Sequence, residues 1–183
     1  RPRLETALDM SPGTRVTVEW VEVKEPAPKE DTVRLQAHEL GAAKFRRGEG
    51  AFFHAGALYF ATTLGGRKDR GQIFKLNLGN DGKADELELL AESPNADVLD
   101  SPDNITVAPW GHVLMAEDGA DGNFLRGLTP EGYVYDIAFN AGGPGELAGP
   151  CFSPDGSALF LNLFLEGKTV AILGFGSQGH AHA

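Results

Sequence analysis

Chemistry in this chain is concentrated between Leu99 and Gly119, which read L-D-S-P-D-N-I-T-V-A-P-W-G-H-V-L-M-A-E-D-G. Asp103 and Asn104 precede one short alternating run. Glu117 and Asp118 follow a second, and a Pro109-Trp110-Gly111 turn separates the two. An antiparallel hairpin brings its two ends together, so four oxygen-bearing side chains are expected at one end of one hairpin. Hard cations such as Ca²⁺ take ligand sets of this kind. Turn chemistry accounts for the same residues in another way, because Asp and Asn after Ser-Pro favour turns and Glu117-Asp118-Gly119 suits a plain loop. A second cluster, Arg46-Arg47-Gly48-Glu49-Gly50, sets a guanidinium two residues before a carboxylate. In extended backbone both face the same way. The pair reads either as a bidentate phosphate grip beside a metal ligand or as a surface ion pair of little energetic weight.

Acidic charge follows these residues. The chain of 183 residues carries 16 Lys and Arg against 26 Asp and Glu, a net charge of −10. Residues 81–121 hold eleven carboxylates and one lysine, Lys83. Such a balance argues against nucleic-acid binding, which rests on phosphate neutralisation. It suits a field that attracts cations, or a solvated rim in the case of Asp85, Glu86 and Glu88. Cys151 is the one cysteine, which excludes an internal disulfide. No apolar run is long enough to span a membrane. The chain starts at Arg1 without a signal segment, and reads as a processed or truncated piece. His38, His54 and His112 are scattered and read as structural or exposed, and there is no Gly-x-Ser-x-Gly elbow.

The elements that must position these groups are short strands. Residues 1–15 read as a frayed end, Arg15–Val23 as a strand, Lys24–Asp31 as a proline loop and Thr32–Arg46 as the one passable helix. From Gly50 the alternation predicts two sets of four strands, Ala51–His54, Ala57–Thr62, Gln72–Leu78 and Glu86–Ala91, then Asn104–Ala108, His112–Ala116, Phe124–Leu128 and Tyr133–Phe139. A third set comprises Pro150–Ser153, Ala158–Phe164 and Lys168–Leu173. Equivalent turns place glycines at 56, 111 and 156, so the spacings are 55 and 45 residues. Four-stranded units at such a period predict an all-β chain, a β-propeller fragment of about two and a half blades, with a sandwich as the competing architecture. Innermost strands line a propeller's channel, which puts Glu49, Asp103 and Asn104 around one mouth, with Glu117 and Asp118 beside them.

These stretches resemble the PhoX-type alkaline phosphatases, calcium- and iron-dependent phosphoesterases on a β-propeller. The resemblance lies in R-R-G-E-G at 46–50, G-Q-I-F at 71–74, L-D-S-P-D-N at 99–104, E-D-G at 117–119 and L-A-G-P-C-F-S-P-D-G at 147–156, with W-V-E-V at 20–23 in addition. It covers residues 16–164. It implies a phosphomonoester substrate, Ca²⁺ and Fe³⁺ as cofactors, Glu49, Asp103, Asn104 and Glu117 as metal ligands, and Arg47 as the catalytic phosphate clamp. It further implies a periplasmic or secreted parent protein whose N-terminal blades partner this piece, which is then inactive alone. The rival functions are a calcium-dependent lactonase- or esterase-like propeller and a non-enzymatic propeller scaffold.

Residues 165–183 depart from that pattern and are similar to the opening of the NADP-binding domain of ketol-acid reductoisomerases. Gly174, Gly176 and Gly179 form G-x-G-x-x-G after the strand Thr169–Leu173. With four residues after Gly179, the helix that would present its N-terminus to a pyrophosphate is missing, so no dinucleotide binding is expected.

Overall fold

The computed structural model describes residues 4–174. In chain order the elements are α1 (Thr6–Asp9), β1 (Arg15–Thr17), α2 (Val33–Glu39), β2 (Gly48–His54), β3 (Ala57–Thr62), β4 (Gln72–Asn77) and β5 (Glu86–Glu92). They continue with β6 (Pro102–Val107), β7 (Val113–Glu117), β8 (Phe124–Leu128), β9 (Val134–Phe139), β10 (Leu147–Phe152), β11 (Ala158–Leu163) and β12 (Lys168–Leu173). The strands form three antiparallel meanders ordered β2-β3-β4-β5, β6-β7-β8-β9 and β10-β11-β12, with β1 added outside β5. The leading strands stand side by side, β2 against β6 and β6 against β10. This is the stacking of successive propeller blades around a channel.

Period-two burial explains the stacking. In β7, Val113 and Met115 face the first blade, where they pack with Ala61, Ile73 and Ala91. The alternate residues Leu114 and Ala116 face the third, joining Leu147, Leu159 and Leu161. A strand buried on both faces reads as a continuous apolar run, and all five residues of β7 are buried.

The N-terminal region differs from expectation. Residues 4–15, read as a frayed end, are docked on the free face of the first blade. Met10 is fully buried among Phe74, Leu76, Leu87 and Leu89, and Thr6 donates to the Lys44 carbonyl. The strand expected over Arg15–Val23 stops at Thr17 after pairing with Glu86–Glu88. The helix expected over Thr32–Arg46 is limited to seven residues, since Val33–Glu39 offers no buried face. At the other end, β12 pairs with β11 along its whole length. The third blade therefore runs through Leu173, as the third set of strands predicts, beyond residue 164 where the family resemblance read from the sequence ends.

A carboxylate cluster at the blade mouth

Each leading strand begins with the same irregularity. One extra residue is accommodated between Gly48 and Ala51 in β2, between Pro102 and Ile105 in β6, and between Ala148 and Cys151 in β10. A β-bulge of this kind re-aims side chains away from the regular alternation. The bulged residues are Glu49-Gly50, Asp103-Asn104 and Gly149-Pro150. Ahead of each bulge a backbone hydrogen bond closes the strand pair, two residues before the first bulged residue in the first two blades and three before it in the third. Thr63, Asp118 and Phe164 donate their backbone N–H to the carbonyls of Arg47, Ser101 and Glu146. The entries of three blades thus deliver Arg47, Glu49, Asp103, Asp118 and Glu146 to one mouth.

Asp103, Asp118 and Glu146 converge, each offering a carboxylate oxygen within 4.8 Å of the other two. Burial raises the Asp103 carboxyl above its ordinary range, and the charges of Glu49 and Asp118 push it further, with Arg47 opposing. Burial also raises Glu146, together with a hydrogen bond to Asp118 and the charges of Asp118, Asp103 and Glu49. These carboxylates repel one another, and a cation among them would relieve that repulsion. The group contains carboxylates alone, a donor set suited to a hard ion such as Ca²⁺.

Arg47 has a left-handed backbone, φ 49°, and its guanidinium Nη2 lies 3.2 Å from Glu49 Oε1. Both side chains are accessible, Arg47 at 54% and Glu49 at 35%, so the guanidinium retains free donors toward the mouth. Asn104 Nδ2 donates to Asp103 Oδ1 at 3.2 Å, and its Oδ1 accepts from the Gly149 N–H at 2.7 Å. Asn104 therefore links the second blade to the third. The backbones approach closely here: a Cβ on Gly50 would lie 2.4 Å from the Asp103 carbonyl oxygen and 2.7 Å from Ile105 N.

Glu117 is placed differently from the sequence reading. It is the last residue of β7 and pairs with Pro102, on the Val113–Met115 side. Its Oε1 accepts from Asp100 N (2.8 Å) and Arg126 Nε (2.9 Å), and its Oε2 from Phe124 N (3.0 Å). Burial pushes this carboxyl up and those three hydrogen bonds counter it. Arg126, 4% accessible, also reaches Asp136 and covers the Phe124 ring at 3.9 Å. Asp118, one residue on, is the group at the mouth. The ligand set read from the sequence lacks Glu146; its place directly before the L-A-G-P run that opens the third leading strand is the signal that points to it.

The family described as alkaline phosphatase PhoX matches residues 5–167. The chain belongs to this family. Among solved structures, Pseudomonas fluorescens PhoX in complex with vanadate, a transition state analogue, is similar with a TM-score of 0.66 and 20% identity. The likeness covers 87% of this chain and 38% of that one, and it shows the propeller fold. The chain thus spans well under half the length of that PhoX. The gluconolactonase XC5397 of Xanthomonas campestris gives a TM-score of 0.49 at 19% identity, over 72% of this chain and 39% of that one. The periplasmic gluconolactonase PpgL of Pseudomonas aeruginosa gives 0.41 at 15% identity, over 62% and 35%. No curated protein sequence matches the chain. The NADPH-binding domain of acetohydroxy acid isomeroreductase matches the short stretch 164–183. Of its three fingerprint glycines, Gly176 and Gly179 lie outside the described residues.

Proposed function

We propose that this PhoX-family chain contributes one side of a metal-dependent phosphomonoesterase site. Asp103, Asp118 and Glu146 would hold a hard cation, Ca²⁺ in the first instance, with Glu49 at its edge. Convergence of the three carboxylates within 4.8 Å is the observation that carries this reading. Fe³⁺ enters through the family and would need donors beyond this group. When bound, such ions supply Lewis-acid charge to phosphate oxygens and lower the pKa of an oxygen nucleophile.

The chain's own residues do the rest. Arg47 presents a planar donor fork suited to two phosphate oxygens, and it stabilises the charge that develops there. Glu49 orients that fork through its 3.2 Å contact. Asn104 fixes Asp103 by donating to its carboxylate. Glu117 and Arg126 form the buried support under the hairpin rather than a ligand pair. The substrate class is a phosphomonoester, and the parent protein is periplasmic or secreted. No helix among the described residues is long and apolar enough to cross a membrane.

Calorimetric titration of Ca²⁺ into the chain, beside Asp118→Asn and Glu117→Gln, tests the ligand assignment. Binding abolished by Asp118→Asn and retained, at lower protein stability, by Glu117→Gln is expected. The reverse pattern returns the site to Glu117.

A further inference from the structure

Directly behind the carboxylates lies a buried amide. Asn123, fully buried in the β7–β8 loop, accepts at Oδ1 from the Gly119 N–H at 2.6 Å. Its Nδ2 donates to the Pro144 and Gly145 carbonyls, each at 3.2 Å. Gly119 directly follows Asp118, and Gly145 directly precedes Glu146. One side chain therefore ties together the two loops whose carboxylates must meet.

The chemistry of this tie is specific. It needs an acceptor on one side and two donors on the other, which a neutral carboxamide supplies and a carboxylate or hydroxyl does not. It also works against a force, because Asp118 and Glu146 repel each other through their charges. A neighbouring amide does a different job. Asn140 donates to the same Gly145 carbonyl at 2.9 Å and accepts from Gly142 N at 3.1 Å. Those side-chain bonds stay within the β9–β10 loop and do not reach the Asp118 loop.

Resting on the cation site proposed above, we infer that Asn123 is its positioning residue. By fixing the separation of Asp118 from Glu146 it sets the site's affinity for a hard cation. Groups that hold metal ligands in place commonly change affinity 10- to 100-fold when removed, as an order of magnitude.

The test titrates Tb³⁺, a luminescent hard cation, into the full chain and into Asn123→Ala, Asn123→Asp, Asn140→Ala and Asp118→Asn. The thermal midpoint of each metal-free protein is measured alongside. Asn123→Ala should bind about tenfold more weakly or worse. Its bound Tb³⁺ should also carry an extra coordinated water, read from lifetimes in H₂O and D₂O. Asn140→Ala should lose stability yet keep the wild-type affinity. Asn123→Asp sharpens the outcome and also decides the matter should Asn123→Ala fail to fold. It keeps the acceptor for Gly119 and adds negative charge, so electrostatics alone predicts tighter binding whereas lost positioning predicts weaker. Wild-type affinity or better in Asn123→Asp, or affinity losses that merely track thermal midpoints across the Asn123 and Asn140 variants, would overturn the inference. A wild-type chain that binds no Tb³⁺, or an Asp118→Asn variant that binds it equally well, overturns the cation site itself and this inference with it.

Discussion

Arg47 and Glu49 touch each other, yet they are expected to fail in different ways. In the whole propeller, Arg47→Ala should leave bound metal in place and slow phosphomonoester turnover by ~10²-fold, the scale for one lost charge-stabilising donor. Arg47→Lys should restore only part of it, because an ammonium cannot form the bidentate fork. Glu49→Gln should lower metal content as well as rate. Metal analysis beside kinetics separates these outcomes, and equal metal loss in both would reduce the two to an ion pair. Glu146 gives a prediction about pH. Its folded-state pKa is raised, first by burial and then by Asp118. A raised carboxyl contributes stability that is fully present below the unfolded pKa and is lost as pH rises through the folded one. Without metal, Glu146→Gln should therefore be more stable than the wild type at neutral pH, and the gap should close on acidification. Chemical denaturation at both ends of that range reads it directly.

At the scale of elements, the bulged leading strands decide where the carboxylates go. β2 and β6 are so close at Gly50 that a methyl group would meet Asp103 and Ile105 backbone atoms, whereas at Gly48 it would meet nothing within 4 Å. Gly50→Ala should cost about 1–3 kcal/mol, as overpacking does. It should also weaken cation binding by moving Asp103. Gly48→Ala should leave both nearly unchanged. Denaturant midpoints and Ca²⁺ titrations of the two variants check this contrast. Strand alternation and turn spacing made most of these elements readable in the sequence. Ala57–Thr62, Phe124–Leu128 and Lys168–Leu173 form strands with the expected ends, and most others differ by a residue or two. What alternation could not settle was parity at a strand's end. Glu117 and Asp118 are adjacent acids, and the antiparallel register that sets Glu117 opposite Pro102 puts the first inside the stack and leaves the second outside. Glu146 escaped because the third blade's entry carries Gly149-Pro150 where the others carry acids. The docking of Met10 depends on a sheet face assembled from residues 58–89, which no local pattern near residue 10 reveals.

For the molecule as a whole, the proposed cation site bridges units. Asp103 and Asp118 belong to the second blade and Glu146 precedes the third. A bound ion would therefore add to the contacts between these blades, which meet through Leu114, Leu125, Leu147 and Leu159 and through the Asn104 and Asn123 hydrogen bonds. Ca²⁺ should raise the thermal midpoint of the chain in a concentration-dependent way. Mass action gives about 2.7 kcal/mol at a hundredfold excess over Kd, and Asp118→Asn should remove the effect. Scanning fluorimetry across a Ca²⁺ series measures it. A midpoint indifferent to Ca²⁺ would mean that no cation couples the blades.

The recurrence of one bulge in three leading strands has a consequence for how such a mouth can change. Each blade offers a small socket whose backbone is fixed by its own strand pairing, while the residue seated there is a separate choice. Glutamate fills the first socket and aspartate the second, and the third holds glycine and proline. Substitution in one socket therefore redraws the charge around the channel without renegotiating the architecture. Only where neighbouring backbones nearly touch, as at Gly50, does the scaffold restrict what the chemistry can be.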